Sequence, residues 1–211
     1  MEETAIGATL VKDSYDKLLE KGDSDILIST ACPSVNLLFE KHYPEFLKYL
    51  CPVESPMLAH AKLLKGKYPS SKVVFIGPCI AKKDEADRSH GLIDAALTFL
   101  ELQKLFDEKG IDLQKGLPPK AKPDSLARLF PINGGILDTM RKSDKSYSYF
   151  AVDGMERCLE VIHEIQMGKI HHSFIEMSAC EGSCIGGPAL QKENRNLYSA
   201  TLQIRKMAGK K

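Results

Sequence analysis

Six cysteines carry most of the chemistry this sequence can offer, and four of them share one context. Cys32 follows DILISTA, Cys79 follows KVVFIGP, and Cys180 with Cys184 follows SFIEMSA. Each group stands just after a run with the pattern of a short strand, and open α/β sheets place ligands at the carboxyl ends of their strands. The last pair reads C-E-G-S-C and continues into Ile185-Gly186-Gly187-Pro188, whose glycines let backbone come close to a bulky group. Thiolates are soft ligands, so cysteines converging from different strands suit an iron–sulfur cluster or zinc. Structural zinc usually uses two short C-x2–4-C knuckles. One C-x3-C is present here, so the scattered arrangement favours a cluster. Free cysteine is also a commonly buried residue type, and for any one of the four taken alone packing is the simpler reading. Cys158 reads as packing on the helix before the last strand, and Cys51 stands outside the pattern.

The elements that must position these thiols alternate. Asp25–Thr30 reads as a strand, and Pro33 suits the first turn of a helix because its missing N–H costs nothing there. Val35, Leu38, Phe39 and His42 then share one helical face. Lys72–Ile76 is a short apolar strand closed by Gly77-Pro78, and Ile93–Leu97 is a weaker one. Thr98 and Glu101 form a capping box before a helix carrying Leu102, Leu105 and Phe106 and ending at Gly110. Residues 112–125 hold three prolines and read as a loop. Tyr147–Val152 is a strand, Met155–Met167 a helix with Leu159, Ile162 and Ile165 inward, and Ser173–Met177 a last strand. Alternating strands and helices give an α/β fold with mostly parallel sheets and flanking helices. Two lobes around a cluster-binding cleft are expected.

Composition sets the outer limits. The chain has 211 residues, 43% of them hydrophobic and 27% charged, which suits a folded globular chain with a real core. A formal net charge of +1 argues against an electrostatically driven nucleic-acid or membrane binder. No apolar run is long enough to span a bilayer, and MEETAIGATL lacks the basic and apolar regions of a signal peptide. A cytoplasmic location is expected, where cysteines are free, catalytic or metal-bound more often than paired. His171 and His172 read as solvent-facing loop residues, and the tail RKMAGKK as a solvated end.

Three segments carry a resemblance. TACPS at 30–34, GPCIAKKDEADR at 77–88 and IEMSACEGSCIGGP at 175–188 resemble, in order, the signature segments of the iron-only (FeFe) hydrogenase catalytic domain. YPEFLKYLCPVESPM at 43–57, NGGILD at 133–138 and FAVDGMERCLEVI at 150–162 are similar to the stretches between them. The family's domain usually has a further strand–helix unit upstream. The resemblance therefore implies one H-cluster domain over 1–211, incomplete at its N-terminus, with approximate lobes 1–90 and 91–211.

The resemblance implies a 4Fe–4S cubane held by Cys32, Cys79, Cys180 and Cys184, with Cys184 also bridging to a two-iron centre that carries CO, cyanide and a dithiolate. Lys82 matches the family lysine that hydrogen-bonds a cyanide, a pairing an ammonium suits. Taken alone, Lys82 and Lys83 read as a solvated helix start. Pro78, Met57 and Gly186 fall among the residues set around the cofactor. The implied activity is reversible interconversion of H2 with protons and electrons, at low rate or as H2 sensing. The alternative is a non-catalytic hydrogenase-like iron–sulfur protein in cluster assembly or electron relay. Implied partners are H2 and protons, maturation proteins, and an electron-transfer partner such as ferredoxin or a missing N-terminal cluster domain. No C-x2-C-x2-C-x3-C-P run for accessory clusters occurs in the chain.

Departures from the family pattern bear on the catalytic positions. The first segment normally has two adjacent cysteines, and the first is the terminal proton carrier. Here that position is Ala31, and a methyl group cannot relay a proton. The next relay member, commonly Ser, matches Cys51. Gly77 and Ser178 stand where methionines often pack around the two-iron centre, and Met57 where glutamine is usual. This pattern resembles the branch of the family assigned to sensing, in which the cysteine relay is absent.

Overall fold

The computed structural model describes residues 1–112, 125–142, 146–190 and 196–209. In chain order these form α1 (Ala5–Lys21), β1 (Ile26–Ile28), α2 (Pro33–His42), α3 (Pro56–Lys67), β2 (Val74–Gly77), α4 (Ala81–Asp87), β3 (Ala95–Thr98), α5 (Phe99–Glu108), α6 (Gly135–Thr139), β4 (Ser148–Asp153), α7 (Met155–Gln166), β5 (Ser173–Ser178) and α8 (Leu197–Met207). All strand pairs are parallel. One sheet has the order β1-β5-β4, and a second pairs β2 with β3. The α/β class is as the alternating pattern implies.

Strand β5 lies at the centre of the larger sheet, buried along Ser173–Met177. A parallel strand covered on both faces should be apolar throughout, and this stretch is, except at Ser173 and Glu176. On one face Ile26, Ile28, Ile175 and Met177 pack with Val35 and Phe39 of α2 and Cys158, Ile162 and Ile165 of α7. On the other, Leu27 and Phe174 pack with Val11, Tyr15 and Leu19 of α1. Period-2 alternation along β1 and β5 thus assigns each residue to one layer. The buried 158, 162 and 165 positions give α7 its inward stripe.

Several expectations shift. Leu159 is exposed at 37%, and Cys158 takes the inward place expected of it. His42, expected on the α2 core face, is exposed. Helix α1 has no counterpart among the expected elements. The expected loop over 112–125 lies, but for its ends, outside the described residues. The tail is not wholly solvated: Arg205–Met207 close α8, and Ala208 is buried against Leu129 and Ile132. The capping box forms in full, with Thr98 N–H donating to Glu101 Oε2 at 2.9 Å and Glu101 N–H to Thr98 Oγ1 at 3.2 Å. The division expected between residues 90 and 91 falls between β2 and β3, which pair with each other. Among the described residues no helix is long and apolar enough to cross a membrane.

Candidate metal centre

The carboxyl ends of β1 and β5 are neighbours in the larger sheet, and that of β2 comes from the smaller one. Cys32 follows β1 and precedes Pro33 at the start of α2, and its carbonyl accepts Val35 N–H at 3.1 Å and Asn36 N–H at 3.2 Å. Cys79 lies between β2 and α4, where its sulfur accepts the backbone N–H groups of Lys82 and Ala81. Hydrogen bonds of this kind favour a thiolate. Cys180 and Cys184 follow β5, on a turn closed by Ser183 N–H to Cys180 O at 2.9 Å.

The four thiols sense one another. Cys79 interacts with Cys32, Cys180 with Cys32 and Cys79, and Cys184 with all three and with Lys82. Burial, then these neighbours, pushes Cys79 and Cys180 upward and Cys184 up to about 12. Cys184 is exposed to water, and the protein packed around it is the main cause of its rise. A thiol so raised needs a metal to become a thiolate at neutral pH.

Tetrahedral zinc would bring its sulfurs to about 3.8 Å from one another. Among the described residues no three Cys, His, Asp or Glu side chains are grouped to hold a single metal ion. Four cysteines drawn from three strand ends suit a multi-iron cluster.

Backbone crowding shapes the wall. A Cβ on Gly187 would stand 2.9 Å from Pro78 O and 3.0 Å from Cys184 O. One on Gly186 would overlap Glu181 O at 1.6 Å. The 184–188 segment can therefore lie against the Pro78–Cys79 segment only with glycine at these positions. Ser183 Oγ is buried without a hydrogen-bond partner among the described residues. Four soft donors, a glycine wall and an unpartnered hydroxyl beside Cys184 fit a bound iron–sulfur group.

Lys82 is buried, its ammonium 3.4 Å from Ala31 O and 2.5 Å from Glu85 Oε2. It therefore belongs to this site and not to solvent, as its spacing alone would suggest. Ala31 and Cys51 both pack into the α1-side core. Cys51 is buried, and loss of hydration pushes its thiol up to about 12. Ser178 ends β5, with its carbonyl accepting Gly154 N–H and the Cys158 thiol. Met57 packs instead with Ala61 and Val73, on the wall of a cavity of about 800 Å³ that includes no cysteine. That cavity has no thiol in its lining, so it lacks the soft donors of the strand-end cysteines. His171 and His172 are exposed.

Sequence reasoning missed a polar group beside Ala31. Tyr15 OH, fully buried, accepts Thr30 N–H at 2.9 Å, and Thr30 Oγ1 donates to Val53 O at 2.6 Å. It also missed Asp153, whose carboxylate accepts Gly182 N–H at 2.6 Å. The sequence signal for the second was present: an acid at a strand end with Arg157 four residues on.

Comparison with known proteins agrees with this geometry. The family described as iron only hydrogenase large subunit, C-terminal domain, matches residues 1–188. The chain is similar to the periplasmic [Fe] hydrogenase large subunit of Nitratidesulfovibrio vulgaris, at 30% identity over 82% of this chain and 53% of that protein. It is also similar to the cytosolic Fe-S cluster assembly factor NAR1 of Encephalitozoon cuniculi, at 25% identity over 80% of this chain and 53% of that one. The chain spans about half the length of these curated relatives. The solved structure of a variant of the FeFe hydrogenase HydA1 from Chlamydomonas reinhardtii has the same fold, with a TM-score of 0.69 at 19% identity, covering 97% of this chain and 72% of that one.

Proposed function

The chain belongs to the iron-only hydrogenase family, as a C-terminal domain of the large-subunit type, and on that premise we propose that it binds an H-cluster and interconverts H2 with protons and electrons at low rate or senses H2. Bound there, the group supplies the redox chemistry of that interconversion. Cys32, Cys79, Cys180 and Cys184 would hold the cubane, with Cys184 also the ligand that would join it to the two-iron centre. Lys82 donates to a cyanide, and its Glu85 partner holds the ammonium in place. Ala31 offers no proton carrier, which supports slow turnover or sensing. Electrons come from a ferredoxin-like partner or an additional cluster domain, and the two-iron centre from maturation proteins.

The observation that carries this reading is Lys82. Its buried ammonium interacts with the Cys79 and Cys184 thiols, is not needed to ligate a cubane, and is the kind of donor that suits a cyanide. Similarity to NAR1-type assembly factors, together with Ala31, favours a second reading, a non-catalytic protein holding only conventional clusters. Infrared spectroscopy after anaerobic maturation separates the two. CO and cyanide bands that respond to H2 are expected. A spectrum without them, on protein carrying a full cubane, contradicts the first reading and leaves the second.

A further inference from the structure

The turn between the two cysteines after β5 is held by a different strand. Asp153 closes β4, and the register places it beside Ser178. Gly154 N–H donates to Ser178 O at 3.0 Å, fixing the start of the turn. Asp153 Oδ2 then accepts Gly182 N–H at 2.6 Å, fixing its apex. Gly182 and Ser183 are both left-handed, with φ of 78° and 57°. Such a conformation at a non-glycine residue costs on the order of 1–3 kcal/mol and persists only where surroundings impose it.

The second carboxylate oxygen is engaged as well. Arg157 Nη2 lies 2.7 Å from Asp153 Oδ1, and Arg157 Nε donates to Asp153 O at 2.5 Å. The Asp153 side chain is 9% exposed, and that of Arg157 is 50% exposed. The acid thus faces the protein while its counter-ion faces solvent. An asparagine has one oxygen with which to accept the Gly182 N–H, and it would lose the charge and the pairing with Arg157. A carboxylate adds a negative charge behind a site lined with sulfur. Its field reaches this region: burial, then Cys32 and Asp153, pushes the Cys158 thiol up to about 12, and Arg157 pulls it back.

We propose that Asp153 and Arg157 form an electrostatic control on the cluster: Asp153 positions the C-E-G-S-C turn, and its charge, partly offset by Arg157, sets how readily the cluster accepts an electron. One-electron reduction by an external reductant adds a negative charge to the cluster, and Asp153 opposes that charge. This rests on reading the four thiols as cubane ligands. Asp153 touches no cluster atom and acts through the turn and through its field.

The test is a redox titration followed by electron paramagnetic resonance, on chain reconstituted with iron and sulfide alone. Asp153→Asn keeps one acceptor for Gly182 and removes the charge together with the Arg157 pairing. It should raise the reduced-to-oxidised ratio at fixed potential, on the order of tenfold for a unit charge at short range. Arg157→Gln, an exposed change that spares the turn, should lower that ratio by less, and the shift should shrink as salt is added. Unchanged titrations in both variants overturn the proposal. If Asp153→Asn fails to take up iron, Arg157→Gln decides: no salt-dependent shift overturns it. An unmodified chain that takes up no cluster overturns the ligand reading itself, and this role with it.

Discussion

Lys82 Nζ lies 3.4 Å from the carbonyl oxygen of Ala31, so the third residue after one strand-end cysteine meets the residue before another. The contact joins the two sheets, because Cys79 follows β2 and Cys32 follows β1. It also sets a buried ammonium against the backbone of the residue that precedes Cys32.

Lys82→Ala should leave the cubane in place and prevent retention of the two-iron unit. Iron and sulfide analysis after reconstitution, then infrared spectroscopy after maturation, checks both halves. Loss of the cubane in this variant would make Lys82 structural and remove its role at the cyanide.

Ala31→Cys restores a proton carrier. General acid–base steps contribute ~10²–10⁴-fold, and a gain of roughly tenfold in hydrogen evolution is expected, because Cys51, Gly77 and Ser178 depart from the catalytic pattern as well. A matured unmodified chain turning over as fast as the variant would show that protons travel another way.

Cys158 and the ligand cysteines should separate cleanly. Cys79→Ala or Cys180→Ala should abolish the visible absorbance of the reconstituted cluster. Cys158→Ala should keep full iron content and lose about 1–2 kcal/mol of stability, since its side chain is fully buried in the core. Urea unfolding and iron analysis on the same samples decide; an iron-poor Cys158→Ala protein counts against packing as its role.

Glu176 gives the fold a pH dependence. It is buried on β5 and accepts Leu137 N–H at 3.0 Å, and burial raises its pKa from an ordinary 4.5 to about 7. A carboxyl raised on folding stabilises the native state below 4.5 and loses that contribution as pH climbs to 7, here about 3 kcal/mol. Exposed His171, raised by its hydrogen bond to Asp25, adds a loss in the same direction. Asp94 and Glu101, both lowered, act only in more acid solution. Urea midpoints of the apo chain should fall from pH 5 to pH 8, and Glu176→Gln should flatten the fall. A midpoint that rises over this range in the unmodified chain contradicts this assignment.

Much of the site was legible in the sequence because strand–cysteine–helix junctions are local. Cys32 before Pro33, Cys79 before Ala81 and the turn after β5 each announce themselves within a few residues. The pairing that brings them together was not legible. β5 inserts between β1 and β4, over a hundred residues from β1, and no local pattern encodes that order. Helix α1 escaped because its apolar positions are diluted by polar ones. Leu159 was misplaced because it neighbours buried Cys158, positions about 100° apart on the helix, and both are apolar. Tyr15 acts through the backbone N–H of Thr30, which no side-chain pattern reveals, whereas Asp153 was signalled only by Arg157 four residues on.

Iron and acid-labile sulfide per chain, measured after anaerobic reconstitution, test the central claim most directly. Four thiols converging from three strand ends predict four of each, with the electron paramagnetic resonance signal of a reduced cubane. One metal per chain, or iron without sulfide, would contradict a cluster held at these strand ends.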